Sequence, residues 1–497
     1  GLGDVYKRQK RINFDQQENM SLQLGSAQDQ NAWSEGNQWT INSFFSRVNY
    51  TFANKYVIEG TIRADGSSRF DPDHRWGWFP GVNAAWRVGE EGFMKRLGWF
   101  EDLKVRASYG EMGNQSGIGL YDYIQLISLS NDYYPFGTGV KGQMATSGNI
   151  ISTSRTWETI QTTNVGFDFS TLNNRLYGSF DYFWKENKNM LIPKTYPSML
   201  GADAPSTNSG HLSIHGWEIS LGWRDQIKDF SYSVRFNISD AKNKVVDRVG
   251  SNLIQLGNNE TPTGYPLNSY FGYEFDGIIQ NEQELEAYKS RFSEGGIPGD
   301  LSVGDAMYKD LDGDGKLSVL GDGKEGSGDV KYLGDKNPRY NFGFNLSMAW
   351  KGFDLSAFIQ GVGRRTMFLE GESRCPMPEA WYQSAEYWYG KTWTPERTDA
   401  QYPAITLKDK RNYNYYVSTN TKFNVAYARL KNLQFGYTIP QTLTSKAGLQ
   451  KVRVYFSGED LFEVHNTPNG WDPEENSGSI TSYPFTRNYS FGINVVF

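Results

Sequence analysis

The run DLDGDG places Asp310, Asp312 and Asp314 at alternate positions and ends in a glycine. Carboxylate oxygens at positions 1, 3 and 5 of such a loop converge when the chain turns at the glycine in position 6, as in the first half of an EF-hand calcium loop. The spacing therefore predicts a Ca²⁺ site, with Ser318 at position 9 as a further ligand.

The second half of this loop departs from the calcium pattern. Position 12 holds Gly321, where an EF-hand has a bidentate glutamate, so Asp322 or Asp329 would have to substitute. Oxygen-only ligands suit calcium better than zinc. The alternative reading is a solvated acidic turn that binds no metal.

A second group of residues with binding chemistry is aromatic. It consists of Trp381, Tyr382, Trp388, Tyr389 and Trp393. Flat rings stack on sugars, and they also anchor protein partners through a few buried contacts. Three interpretations stay open, namely packing within the loop, contact with a partner and contact with a ligand.

Catalysis has no support in the sequence. His211 and His215 lie four residues apart, a metal-pair spacing on a helix, but GHLSIHGWEISL resembles a loop that enters a strand. The sequence has no G-x-S-x-G elbow, no H-E-x-x-H and no P-loop. We therefore predict that the chain is not an enzyme.

Composition narrows the fold. The 497 residues carry a net charge of -6 and a single cysteine, Cys375, which excludes a disulfide scaffold. The chain has no basic run, and it therefore lacks the electrostatic footprint of a nucleic-acid binder. No stretch approaches about 18 consecutive apolar residues, so no transmembrane helix is predicted. Yet 31 Tyr, 30 Phe and 15 Trp must lie on some apolar surface despite a mean hydropathy of -0.62.

Apolar and polar residues alternate over many short windows, which indicates strands with two different faces. In the last such window Tyr489, Phe491 and Phe497 share the apolar face. Tight turns are predicted at Lys351-Gly352, Asn173-Asn174 and Asn54-Lys55.

About thirteen strands follow from this alternation. They are predicted near 44–52, 55–66, 75–89, 102–111, 158–171, 174–186, 213–225, 230–241, 340–350, 353–361, 424–438, 451–460 and 488–497. Short connections alternate with long ones, as in an outer-membrane β-barrel with turns on one side and loops on the other. The prediction is an all-β, transmembrane antiparallel β-barrel; the alternative is a secreted all-β protein.

Several segments, in order, resemble the SusC/RagA family of TonB-linked outer-membrane proteins. They are RADGSSRF (63–70), WGWFP (76–80), ASYGEMGNQ (107–115), NPRYNFGFNLSMAWKGFDLSAFIQG (337–361), WTPERTDAQYP (393–403), YARLKNLQFGYTIP (427–440) and GWDPE (470–474). The last strand, with Tyr489, Phe491 and Phe497, resembles the signal that barrel-assembly machinery recognises. The resemblance covers nearly all of residues 40–497.

The resemblance implies a barrel of about 22 strands, of which this chain holds about thirteen. It also implies an amino-terminal plug and TonB box, neither of which matches a segment of this chain. Residues 1–39 are predicted to be an amino-terminal remnant and an extracellular loop, with residues 1–9 outside any strand. Residues 40–497 are predicted to be the carboxyl-terminal part of the barrel.

The resemblance further implies import across the outer membrane, driven through TonB and assisted by a SusD-like surface lipoprotein. The expected cargo is an oligosaccharide, with an oligopeptide as the second choice. Similar proteins carry a segment like DLDGDG, which favours a bound cation there. The alternatives are a siderophore or haem receptor of the same barrel class and a secreted β-rich glycan-binding protein.

Overall fold

The structure is a computed structural model. It describes residues 2–10, 31–125, 127–130, 135–136, 140–141, 144–147, 150–193, 206–248, 256–257, 261–320, 328–378, 384–406, 409–475, 478, 483 and 485–497.

Thirteen strands form one continuous sheet, in which every neighbouring pair is antiparallel. In chain order they are β3 (Ile41–Phe52), β4 (Tyr56–Ser67), β5 (Trp76–Arg87), β6 (Asp102–Asn114), β11 (Glu158–Thr171), β12 (Leu176–Pro193), β13 (Ser206–Ile227), β14 (Phe230–Asp247), β19 (Arg339–Trp350), β20 (Phe353–Arg364), β23 (Tyr427–Thr438), β24 (Lys451–His465) and β25 (Asn488–Val496). Neighbours in the sheet are also neighbours in sequence among these strands, so the sheet is a meander.

The two faces of the sheet differ in chemistry because side chains alternate along each strand. On one face, Phe236 of β14 lies opposite Phe344 of β19, which in turn lies opposite Ile359 of β20. One residue along, Asn237 lies opposite Gly343 on the other face. We call these the apolar face and the polar face.

The thirteen predicted strands are all present, and the predicted all-β class is confirmed. Boundaries differ mainly at one end of the sheet. There β12 continues beyond the predicted residue 186, β13 begins before the predicted residue 213, and β24 continues beyond the predicted residue 460. The predicted long connection 187–212 is correspondingly shorter, because most of it belongs to β12 and β13.

Connections alternate between a turn end and a loop end of the sheet, as predicted. The two-residue turn Lys351-Gly352 joins Trp350 to Phe353, and both turn residues have positive φ. The other two predicted two-residue turns are wrong in length. Three residues (53–55) separate β3 from β4, and four (172–175) separate β11 from β12. Longer connections at this end are 88–101 and 439–450.

The helices are short. They are α1 (Gly92–Leu97), α2 (Glu282–Lys289), α3 (Asp409–Asn414) and α4 (Gln441–Thr444), with single 3₁₀ turns at Pro72–His74, Val88–Glu90, Gly371–Ser373, Glu386–Trp388 and Ser445–Ala447. Within the described part of the chain, every helix is too short or too polar to cross a membrane.

Small two-stranded sheets build the connections at the loop end. The pairs are β7 (Ile127–Ser130) with β10 (Met144–Ser147), β8 (Pro135–Phe136) with β9 (Val140–Lys141), β15 (Ser269–Tyr273) with β18 (Val330–Asp335), β16 (Phe275–Ile278) with β17 (Ala306–Tyr308), and β21 (Thr366–Phe368) with β22 (Lys422–Asn424). We call the described residues of 261–335, 366–425 and 466–478 the loop body. Most of the buried apolar side chains of the described residues lie there.

The start of the chain differs from its prediction. Residues 1–9 were expected to lie outside any strand, but β1 (Leu2–Lys10) pairs with β2 (Asn31–Trp39) in an antiparallel ladder. The alternation in these residues is weak, and the pairing is made with a segment more than twenty residues away.

Among the described residues, β3 and β25 border the large sheet, and each pairs there on one side only. On β25 the apolar residues Tyr489, Phe491 and Ile493 are exposed, as is Phe497 beyond it. The sequence interpretation of Tyr489, Phe491 and Phe497 as an assembly signal stays a prediction.

Gly352 gives a test of how strongly one turn stabilises the sheet. Its φ of +91° lies in the left-handed region, and a Cβ there would lie 2.8 Å from the carbonyl oxygen of Thr438. Gly352→Ala is expected to lower the free energy of unfolding by about 1–2 kcal/mol, measured by urea titration of the full-length protein in micelles. Gly60→Ala, at a position with open space and no positive φ, is the control. Equal losses in both variants would contradict the argument.

Candidate functional site: the polar face and the loop body

The polar face carries charges that are paired across strands. Arg106 of β6 donates to Asp181 of β12 (Nη1 to Oδ1, 2.8 Å) and to Asp168 of β11 (Nη2 to Oδ1, 3.0 Å). Arg453 of β24 pairs in the same way with Asp354 of β20. Because these charges neutralise each other, the wall offers mainly hydroxyl, amide and ion-paired groups to anything that lies against it.

A cavity of about 1060 Å³ opens on this face over β3 to β6. Its lining includes the cations Arg47, Arg63 and Arg69, the carboxylates Asp65 and Glu111, and the apolar rings of Trp157 and Phe79. Arg63 is paired with Asp65 (2.7 Å). Trp157 and Phe79 belong to a buried cluster with Phe70 and Ile118 that closes the loop end of these strands. The cavity is large enough for a ligand of several residues or sugar units.

The loop body has a first core around helix α2. Tyr288 of α2 and Tyr413 of α3 share a hydrogen bond between their hydroxyls (2.9 Å), and the Tyr308 hydroxyl donates to the Tyr413 carbonyl (2.8 Å). Asn414 donates to the Asp305 carboxylate (2.8 Å) and accepts from the Ala306 amide (2.9 Å). The connection between β20 and β23 is thus built into the connection between β14 and β19.

A second core of the loop body contains one residue of the predicted aromatic cluster, Trp388. Trp388, Tyr402, Tyr415, Trp471 and Cys375 are buried together. The hydroxyls of Tyr387 and Tyr402 lie 2.7 Å apart, and burial raises the pKa of the Tyr402 and Tyr415 hydroxyls. These phenols therefore stay neutral and act as fixed hydrogen-bonding groups.

Of the predicted contact residues, only some present their rings. Trp388 and Trp393 are buried, and the Trp393 indole donates to Gln280 (3.0 Å). Tyr389, by contrast, is 90% exposed. Trp381 and Tyr382 lie outside the described residues. Packing within the loop accounts for Trp388 and Trp393, and contact with a ligand or partner stays a prediction.

The acidic run forms the turn that its glycines allow. One carboxylate oxygen from each of Asp310, Asp312 and Asp314 lies within 4.8 Å of the others. Both Asp310 oxygens accept backbone amides, from Gly313 (2.6 Å) and Gly315 (2.9 Å). The three carboxylates therefore converge as the sequence predicts.

Ser318 and Asp329 close this turn from the other side. Asp329 is fully buried, and its carboxylate accepts the amides of Leu311 (2.6 Å) and Ser318 (2.7 Å). Burial raises its pKa, and the charges of Asp312 and Asp310 add to the shift. Asp329 thus holds the two sides of the loop together through hydrogen bonds to their backbone amides. Asp322 lies outside the described residues.

The sequence interpretation missed a buried ion-pair cluster where the last loop meets the sheet. The Arg429 side chain is fully buried and contacts Glu463 (2.6 Å), Asp472 (2.7 Å) and Glu474 (3.1 Å). Its guanidinium also lies 4.2 Å from the centre of the Phe485 ring. The only signal was the pair of acidic residues in GWDPE, which gave no indication of its partner on β23.

Comparison with known proteins identifies the class. A sequence model of the family described as TonB dependent receptor-like, beta-barrel matches residues 2–461. The chain belongs to this family, whose members are outer-membrane transporters and not enzymes. The predicted barrel class and outer-membrane location are confirmed, and the secreted alternative is excluded.

Named relatives place the chain more closely. It is 32% identical over 490 residues to the TonB-dependent receptor P3 of Formosa agariphila, covering 93% of this chain and 46% of the relative. It is 27% identical over 497 residues to the TonB-dependent receptor SusC of Bacteroides thetaiotaomicron, covering 94% and 45%. The chain spans about half the length of these curated relatives.

The solved structure of the RagAB peptide transporter shares the fold. The likeness has a TM-score of 0.77 at 21% identity and covers 99% of this chain and 55% of that chain. The likeness shows that the two chains share a fold, and SusC among the named relatives is consistent with the predicted resemblance to the SusC/RagA family.

Removing the charge of Arg429 should destabilise the last loop. Arg429→Met leaves partly buried carboxylates without their cation, a change that typically costs about 3–5 kcal/mol. Arg487→Met, which removes a more exposed partner of Glu463, should cost about 0–1 kcal/mol. Urea titration of the full-length protein, with limited proteolysis of residues 466–487, measures both. Similar losses in the two variants would contradict the role of burial.

Proposed function

We propose that this chain is the carboxyl-terminal barrel portion of an importer that moves large nutrients across the outer membrane. Family membership supports the transport class, and the broad polar face supports a wide, wet passage. In this proposal the loop end faces outward and the turn end faces the periplasm, as in outer-membrane barrels generally.

The proposed cargo is an oligosaccharide, with an oligopeptide as the second choice. The observation that carries this order is the pairing of charges on the polar face, as in the Arg106 and Arg453 groups. A wall with little net charge and many hydroxyl and amide groups suits a neutral, polyhydroxylated molecule better than a charged one. The name of the RagAB peptide transporter is the reason to keep peptides in view.

Two protein partners belong to the proposal. A SusD-like surface lipoprotein would cover the loop end, where the loop body presents an ordered surface that includes the exposed Tyr389. TonB would act from the periplasm through the part of the relatives' length that this chain does not span. An iron chelate or haem is the less favoured cargo because few histidines are free to bind iron. The chain has four histidines, and one of them, His211, lies 2.5 Å from Glu186.

A blocked passage tests the proposal. Gly110 lines the cavity on the polar face, and a side chain there meets nothing within 4 Å. Gly110→Trp should therefore place a large ring in the passage and reduce uptake, while assembly stays normal. Gly60→Trp, at an equally open position on the apolar face, is the matched control.

The measurement is growth of cells that carry each full-length variant on single oligosaccharides or oligopeptides, together with the surface level of the protein. Selective loss of growth on one cargo class with Gly110→Trp names the cargo. Unchanged uptake at normal surface levels would show that cargo does not pass along this face.

Calcium in the acidic turn is a further part of the proposal. Asp310, Asp312, Asp314 and Ser318 would hold the ion. Its positive charge would offset the repulsion among the three converging carboxylates. Bound calcium would stiffen the turn, and a stiff turn loses less entropy when a partner docks. Without an acidic residue at position 12, affinity should fall in the range of about 10⁻⁴–10⁻³ M.

Chelation of the full-length protein should make the 310–320 turn more sensitive to protease, and Asp312→Asn should have the same effect without chelator. Asp399→Asn, at an exposed position elsewhere in the loop body, is the control. Equal cleavage with and without chelator would favour the solvated acidic turn.

A further inference from the structure

One connection at the turn end is longer than its strands require. Residues 88–101 join the adjacent strands β5 and β6, whereas two to four residues suffice for four other turns at this end. The added length folds into a 3₁₀ turn and helix α1, and Gly98 ends α1 in the left-handed conformation.

Glu91 fastens the start of α1 to the apolar face. Its carboxylate accepts hydrogen bonds from Lys55 (Nζ, 2.8 Å), Tyr56 (hydroxyl, 2.7 Å) and Trp86 (Nε1, 3.2 Å). The hydrogen bond from Lys55 is the largest of the contributions that hold the pKa of Glu91 at about 2. The rings of Tyr56 and Trp86 stack 6.3 Å apart. Tyr and Trp with polar tips at the edge of an apolar belt mark the level where lipid meets water.

The end of the connection is fastened to the same side. The Phe100 ring lies 6.4 Å from that of Phe169, which belongs to the apolar face. Thr171 donates to the Trp99 carbonyl (2.5 Å), and Glu101 accepts the Asn173 amide (2.7 Å). The segment between these anchors is therefore held at the rim of the apolar face.

This segment presents large apolar side chains and the cation of Arg96 to its surroundings. Phe93 (55% exposed), Leu97 (50%) and Trp99 (67%) leave large apolar surfaces uncovered, and Phe93 and Leu97 share one side of α1 by their spacing of four. Lys95 and Arg96 lie between them and are also exposed, and Lys95 pairs with Glu90 (2.6 Å). The other long connection at the turn end, residues 439–450, has a similar composition. Leu443 in α4 and Lys446 just after α4 are both exposed.

We propose that residues 90–100 form an interfacial anchor that binds phospholipid. Phe93, Leu97 and Trp99 enter the boundary between headgroups and acyl chains, and Arg96 contacts headgroup phosphate. Two observations select a lipid surface over a protein partner. The patch continues the apolar face at the level of Tyr56 and Trp86, and the exposed cation of Arg96 complements phosphate. The inference rests on the outer-membrane location and is independent of the cargo.

The depth of α1 in the membrane is the direct test. A nitroxide attached to Leu97→Cys, in full-length protein in nanodiscs of phosphatidylethanolamine and phosphatidylglycerol, should be accessible to oxygen and shielded from a water-soluble nickel complex. Lys228→Cys, in the exposed two-residue turn between β13 and β14, is the control for the water phase. Buried Cys375 contributes little background labelling. A severalfold lower nickel-to-oxygen accessibility ratio at 97 than at 228 is expected; equal ratios would overturn the anchor.

A charge reversal tests the phosphate contact. Arg96→Glu should lower the affinity for phosphatidylglycerol, measured by native mass spectrometry of the full-length protein, by about fivefold. Lys289→Glu on α2, at the opposite end of the sheet, gives the same charge change and should not. Equal effects would overturn the headgroup contact. Both measurements ignore cargo, so failure here would leave the transport proposal standing, and failure of transport would leave the anchor standing.

Discussion

The rest of this structure depends on the need of every backbone amide and carbonyl in a membrane-spanning sheet for a hydrogen-bond partner. No water is available in lipid to satisfy an unpaired amide or carbonyl, so each strand must be paired along its whole membrane span. Among the described residues, the meander of thirteen antiparallel strands leaves two open sides, those of β3 and β25. Those two sides must also be paired before this sheet is stable in lipid.

Alternation of side chains follows from the same pairing. Once a strand is fixed in register, each apolar residue on one face commits its neighbours to the other, and a slip of one residue would invert both faces. The pairing of Phe236 with Phe344 beside Asn237 with Gly343 illustrates this constraint. The polar face with its paired charges is thus a consequence of the apolar face, and both are products of one register.

This is why the strands could be predicted from the sequence and the loop body could not. A strand in lipid carries its signal in every second residue, which a short window captures, so even β11 (Glu158–Thr171) was predicted to the residue. Beyond the membrane the apolar face is no longer required, so the extensions of β12 and β13 lack the apolar–polar alternation that predicts a strand. Cores such as Tyr288 with Tyr413 join residues more than a hundred positions apart, and no local pattern marks either one. The convergence of the Asp310, Asp312 and Asp314 carboxylates could be predicted because it depends only on a local turn, whereas the bound cation stays a prediction.

The shared cores of the loop body bear on how such a protein can change its specificity. The connection between β14 and β19 supplies α2 and Tyr308, while the connection between β20 and β23 supplies Tyr413 and Asn414 to the same interior. Exchanging either connection alone for that of a relative would leave hydroxyls and amides unpaired inside the protein. Variation at the loop end should therefore be inherited in matched sets of loops. New recognition surfaces would then arise when the whole loop body is exchanged, and not when substitutions accumulate in one loop.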